Sequence, residues 1–119
     1  MSETKNLNIE IKEEDGISII SIRGFLDANT APNLEQAVED IINNNKYKII
    51  VDFSELDYIS SAGLGVFMSQ IETIRENNGD LKLCRMQSKV YSVFELLGFP
   101  MLFDICDEID QCKKKFENG

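Results

Sequence analysis

Two adjacent hydroxyls, Ser60 and Ser61, are followed at once by Ala62-Gly63-Leu64-Gly65. A serine can act as a nucleophile, a helix cap or a phosphate acceptor, and the rest of the chain narrows the choice. Nucleophilic use needs a neighbouring base, and the sequence has no histidine, the usual one. The segment also lacks the first glycine of the Gly-x-Ser-x-Gly elbow on which hydrolases mount their serine. No phosphate loop of the form Gly-x-x-x-x-Gly-Lys-Ser/Thr occurs. Gly63-Leu64-Gly65 has no third glycine where a dinucleotide fingerprint requires one. Three cysteines, Cys84, Cys106 and Cys112, form no Cys-x-x-Cys pair, and their odd, scattered placement suits reduced thiols packed as small hydrophobes. The expectation is a non-enzymatic protein with no metal and no cofactor.

Two roles remain for the serines. Ile49-Ile50-Val51-Asp52-Phe53-Ser54 is almost continuously apolar, the pattern of a central parallel strand buried on both faces. A polar loop is expected over Glu55-Leu56-Asp57-Tyr58-Ile59. Leu64, Phe67, Met68, Ile71 and Ile74 then recur at helical spacing, with an end near Asn77 and a stop at Asn78-Gly79. The serines thus stand where a strand–loop–helix unit turns over, at the positive end of a helix. Ser61 is expected there either as the N-cap, its oxygen accepting a backbone N–H, or as a phosphate acceptor. A phosphoserine, with a charge of about −1.5 to −2, would meet free N–H groups and the helix dipole, so the fold could carry it. A partner packed on the same turn could not desolvate that dianion cheaply. Gly63 and Gly65 each cost a helix up to about 1 kcal/mol relative to alanine, which points to crowding by the sheet or by a partner.

The flanking elements complete a scaffold for that turn. Leu7, Ile9 and Ile11 alternate with polar residues, and Glu14-Asp15-Gly16 supplies an Asp-Gly turn into the β-rich run Ile17–Ile22. The Gly24–Thr30 segment is expected to break that strand. Asn29 or Thr30 can cap a first helix, with Pro32 in its first turn, Glu35 near its positive end and a stripe of Leu34, Ala37, Val38, Ile41 and Ile42. Beyond Gly79, Leu81–Met86 reads as a strand, Ser88 as the cap of a short helix closed by Gly98, and Leu102–Cys106 as a last strand. Asp107, Glu108 and Asp110 open a final helix whose Lys113-Lys114-Lys115 suit its negative end. The order β-β-α-β-α-β-α-β-α predicts an α/β fold: a mixed, mostly parallel sheet packed with about four helices.

Composition bounds the partners. A chain of 119 residues suffices for one domain with a core, so 1–119 is read as a single domain. Twenty-one acids against 12 bases give a net charge of −9, which argues against nucleic acid and anionic membrane surfaces. No run approaches the ~20 apolar residues of a membrane span, and Met1–Asn6 has no signal-peptide core, so a cytoplasmic protein is expected.

Leu56-Asp57-Tyr58-Ile59-Ser60-Ser61-Ala62-Gly63-Leu64-Gly65-Val66 resembles the signature of STAS domains, the bacterial anti-sigma factor antagonists. Gly24-Phe25-Leu26-Asp27-Ala28-Asn29-Thr30-Ala31 is similar to the family's Gly-x-Leu-Asp segment, and Val90 through Phe103 resembles its third-helix region. The resemblance implies the STAS fold and a partner switch. The unphosphorylated antagonist binds an anti-sigma factor with serine kinase activity, phosphorylation releases it, and a metal-dependent PPM-type phosphatase resets it. By position, Ser61 matches the phosphoacceptor and Asp27 an acidic residue close to it. Ser60, Ala62, Gly63, Leu64 and Gly65 match the partner-facing turn of a monomer or weak dimer. One departure stands out: Ser60 occupies a place where the family often has Asp. That removes a charge beside the acceptor and makes Ser60 an alternative acceptor. A STAS interaction module in another signalling or transport-associated assembly is the competing reading.

Overall fold

The apolar run around Ile49–Phe53 becomes the middle of a five-stranded sheet ordered β1-β2-β3-β4-β5. The structure is a computed structural model that describes residues 6–118. Its elements are β1 (Leu7–Glu14), β2 (Ile17–Leu26), α1 (Ala31–Asn43), β3 (Lys48–Ile59), α2 (Ser61–Glu76), β4 (Asp80–Cys84), α3 (Ser88–Leu96), a 3-10 turn (Phe99–Met101), β5 (Ile105–Cys106) and α4 (Ile109–Asn118). β1 pairs antiparallel with β2 through the Asp15-Gly16 turn, and every later neighbour pairs parallel. This is the expected α/β architecture.

Because side chains alternate along a strand, β3 feeds two cores. Ile49, Val51 and Phe53 pack beneath α1, α2 and α3. Phe53 sits 5.7 Å from Phe67 of α2 and edge-on to Phe94 of α3 at 5.6 Å, which ties both helices to the central strand. Ile50 faces the other way, into a smaller cluster with Ile17, Ile19, Cys84 and Cys106 of the sheet and Cys112 of α4. Truncating a fully buried Phe costs about 3–5 kcal/mol, so position 53 is central to the main core.

Several expectations are corrected. The polar loop at 55–59 is strand: β3 runs on to Ile59, paired with β2 as far as Leu26–Ile59. Leu56 and Ile59 are buried, and their apolar faces hold the strand through its acidic residues. Gly24 does not break β2. At φ +104 and without a Cβ, it lets the Asn6 carbonyl lie against it, and Phe25 donates to that carbonyl at 3.0 Å. The last strand shrinks to Ile105–Cys106, because the N–H groups of Leu102 and Phe103 bond back to the Phe99 carbonyl of the 3-10 turn at 2.8 and 3.1 Å. Met68, read as a helix-stripe residue, is exposed. Thr30 is the α1 N-cap by position but its side chain does not cap, and Gln87 rather than Ser88 precedes α3. Glu35 lies past the first turn of α1, where its carboxylate accepts from the Ser69 hydroxyl of α2 at 3.2 Å.

α4 is fixed to the sheet by a buried cation. Lys82, its side chain 7% exposed, reaches Asp104 at 2.7 Å and Asp80 at 3.0 Å and lies 4.8 Å from the Phe116 ring centre. Burial alone would lower the Lys82 pKa, but the two carboxylates outweigh it and raise it. In return, the Lys82 hydrogen bond holds Asp104 below the usual carboxylate range, against the opposing pull of burial. A depressed carboxylate pKa means stability that is present above the unfolded value and lost as pH falls through the folded one; the raised lysine contribution is lost only in strong base. Lys82→Met is therefore expected to leave folding intact at neutral pH and to reduce the loss of stability on acidification. Urea unfolding at neutral and acid pH checks this, and an unchanged acid dependence would refute it.

Candidate functional site

Ser60 is the hinge between β3 and α2. Its N–H donates to the Leu26 carbonyl at 2.9 Å, fastening the end of β3 to the end of β2. Its backbone is extended, at φ −107 and ψ 173, and its hydroxyl accepts the Gly63 N–H at 3.4 Å. Its carbonyl accepts the Leu64 N–H at 3.1 Å. The cap is thus Ser60, and Ser61, for which capping was one expectation, is the first helical residue. Ser61 is exposed, and its hydroxyl makes no hydrogen bond among the described residues. The first turn of α2 holds no acid, so its positive end is not neutralised from within.

Asp27 follows Leu26 directly, so the Leu26–Ser60 bond brings its segment to the serine turn. Its carboxylate accepts the N–H groups of Asn29 at 2.9 Å and Thr30 at 3.2 Å. Its own N–H donates to the Thr30 hydroxyl at 2.9 Å, which donates onward to the Phe25 carbonyl at 2.8 Å. Asp27 therefore organises the β2–α1 turn and makes no hydrogen bond to either serine.

The four residues after the serines divide. Gly63 is buried: a Cβ there would stand 2.7 Å from Leu26 Cγ, 2.9 Å from the Leu26 carbonyl and 3.2 Å from Ile59 Cγ1. Leu64 is 2% exposed and belongs to the main core. These two positions, expected to face a partner, are enclosed by the domain itself. Ala62 and Gly65 face outward, and nothing lies within 4 Å of a Cβ built at Gly65. The crowding inferred from both glycines exists at Gly63 alone, and the sheet supplies it.

Two exposed features border the turn and were missed. Tyr58, 48% exposed, pairs across the strands with Phe25 at 5.9 Å between ring centres. Reading 55–59 as a loop hid that pair; a strand reading would have set Tyr58 opposite the Phe25 segment. Met68 continues the outward line of Ser61 and Gly65 along α2. The thiols lie elsewhere, buried between α4, which carries Cys112, and the sheet. Burial pushes the Cys106 thiol up to about 12, and a hydrogen bond with Cys84 together with burial raises Cys112 further, so neither is a ready nucleophile. Among the described residues no cluster of ligating side chains could hold a metal ion, and no helix is long and apolar enough to cross a membrane.

The STAS domain family model matches residues 8–112, which include both strands that meet at Ser60 and all of α2. The chain belongs to the STAS domain family. Among its relatives is the anti-sigma-B factor antagonist of Listeria monocytogenes, 33% identical over 101 residues, covering 84% of this chain and 89% of that protein. An anti-sigma factor antagonist from Mycobacterium paratuberculosis has the same fold, with a TM-score of 0.88, 21% identity and coverage of 98% and 99% of the two chains. So does the antagonist SpoIIAA in its unphosphorylated form, with a TM-score of 0.81, 16% identity and coverage of 94% and 98%. The structure of the Bacillus cell fate determinant SpoIIAA in its phosphorylated form aligns at a TM-score of 0.71, with 15% identity and coverage of 91% and 98%.

In this STAS domain the two motif glycines are expected to respond oppositely to the same change. Gly63→Ala forces a methyl against Leu26 and Ile59 and should destabilise by about 1–3 kcal/mol. Gly65→Ala meets open space in a helix and should stabilise by up to about 1 kcal/mol. Urea denaturation of the two variants decides; a shift of the same sign in both would contradict the packing described.

Proposed function

We propose that this protein is an anti-sigma factor antagonist, acting as a single domain, whose docking surface is the outward line of α2 around Ser61 and whose release signal is a phosphate on that hydroxyl. The observation that carries the reading is the division of labour between the serines. The Ser60 hydroxyl is engaged by the cap, whereas Ser61 is exposed and uncommitted at the same helix tip. The relatives named as anti-sigma factor antagonists support the role, and the existence of a phosphorylated form of SpoIIAA supports the modification.

The partner is an anti-sigma factor that is also a serine kinase, and a PPM-type phosphatase reverses the modification. The setting is the cytoplasm, where sigma factors work. Unphosphorylated, the turn presents Ser61, Ala62 and Gly65, small groups that let another backbone come close; Gly63 and Leu64 hold the turn from beneath, and Asp27 shapes the adjoining loop. Phosphorylated, the dianion is stabilised by the helix's positive end in the free protein. In the complex it would be stripped of water, which is costly. The same asymmetry makes Ser61 a better acceptor than Ser60, whose modification would dismantle the cap. The chain is read as a binding module: the Ser61 hydroxyl has no base beside it to make it a nucleophile.

Incubation with the cognate kinase and ATP, followed by peptide mapping, should place one phosphate on Ser61 and none on Ser61→Ala. In calorimetric titration Ser61→Ala should still bind the unphosphorylated protein's partner. Ser61→Asp should bind it at least about tenfold more weakly, a difference of ~1.4 kcal/mol, at unchanged thermal stability. Absence of phosphate from both serines, or equal affinity of the two variants, would defeat the proposal.

A further inference from the structure

The second face of the sheet is covered only in part. α4 packs over Ile19, Ile50, Cys84 and Cys106, and beyond it a cleft of about 230 Å³ opens above Ser21, Arg23, Asp52, Ser54 and Arg85. Asn8 and Glu10 of β1 and Glu55 of β3 also line it.

Four features converge there. Asp52 interrupts the apolar run Ile49–Phe53 of β3, and its side chain is 8% exposed. Its carboxylate accepts the Ser54 N–H at 3.0 Å and meets Arg85 Nη1 at 3.3 Å. Arg85 itself is held at φ +60. Among the described residues the other non-glycines at positive φ are Asp15, Asn45 and Asn78, types that tolerate this conformation, so Arg85 alone is strained against its type. The β2–β3 pairing slips between Ser21 and Arg23, opposite Asp52 and Glu55, and such bulges re-aim side chains. Finally, the hydroxyls of Ser21 and Ser54 and the side-chain amide of Asn8 make no hydrogen bond within the described protein. A merely solvated sheet end accounts for the last feature. It does not account for a buried acid facing a strained arginine at a bulge.

We propose that this cleft binds a small basic zwitterion of the amino-acid class. Asp52 supplies a desolvated acceptor for a cationic group. Arg85 already meets Asp52 at 3.3 Å and Arg23 meets Glu55 at 3.6 Å, each through one guanidinium nitrogen, so their remaining N–H groups supply donors for a carboxylate. The lining holds three acids, Glu10, Asp52 and Glu55, against two arginines, so a ligand of net positive charge balances it. The volume falls below the roughly 300–1,000 Å³ of sites for drug-sized ligands, which suits a metabolite of amino-acid size. The site lies on the α4 face and does not depend on the reading of Ser61.

The test is an NMR titration of the full chain with L-arginine, with agmatine, which keeps the cationic side chain but lacks the carboxylate, and with sodium chloride at matched ionic strength. L-arginine should shift the amides of Ser21, Asp52, Ser54 and Arg85 saturably, with agmatine on the order of tenfold weaker. Asp52→Asn should abolish the response. Arg23→Gln, a change at an exposed side chain that leaves the fold alone, should weaken it about threefold even if Asp52→Asn does not fold. No saturable shift, an equal response to agmatine or to salt, or unchanged binding in Arg23→Gln would overturn the proposal.

Discussion

α2 starts on top of the ends of two parallel strands, and it can come that close only because position 63 carries no side chain. Any Cβ there would press into Leu26 and Ile59, the last residues of β2 and β3. The Ser60 N–H bond to the Leu26 carbonyl closes the same junction from the backbone side. These contacts fix the direction in which α2 leaves the sheet, and with it the outward aim of Ser61. Leu64 and Phe67 then have to fall into the main core, where Phe53 receives the Phe67 ring. A turn held this firmly presents its exposed hydroxyl in one place at little entropic cost on binding.

The same junction explains where the sequence was legible and where it was not. The central strand, the Asp15-Gly16 hairpin and the period of α2 depend on local signals, and these agreed with the tertiary structure. The reading failed at Gly24 and at Glu55–Ile59, where local break signals met a strand pairing that overrode them. Gly24 looks like a breaker, yet its positive φ and bare Cα serve β2 by admitting the Asn6 carbonyl. Leu56 and Ile59 are three apart, a spacing that hides a strand; the register slips between β2 and β3 are what let both face inward. At the site, the helix start and the serine pair were readable from type and spacing. Which serine caps was not, because a shift of one residue exchanges their roles. The inward turn of Gly63 and Leu64 follows from that same one-residue phase.

The charge of the chain bears on how a single phosphate could matter. A protein at −9 already repels anions at long range, and one further dianion changes that total only modestly. Salt screens such effects beyond a Debye length of about 8 Å, so the decisive field is local. Locally the tip of α2 is unusual for so acidic a protein, because no acid lies in its first turn and the cap is a neutral serine. An aspartate at position 60, the residue the STAS signature often places there, would offset part of the helix dipole in every state. With Ser60 as the cap, no acid in the cap or first turn offsets the helix dipole, so a phosphate on Ser61 would reverse the local charge rather than deepen an existing one. The serine that weakens the match to the family signature would therefore widen the electrostatic contrast between an unmodified and a phosphorylated turn.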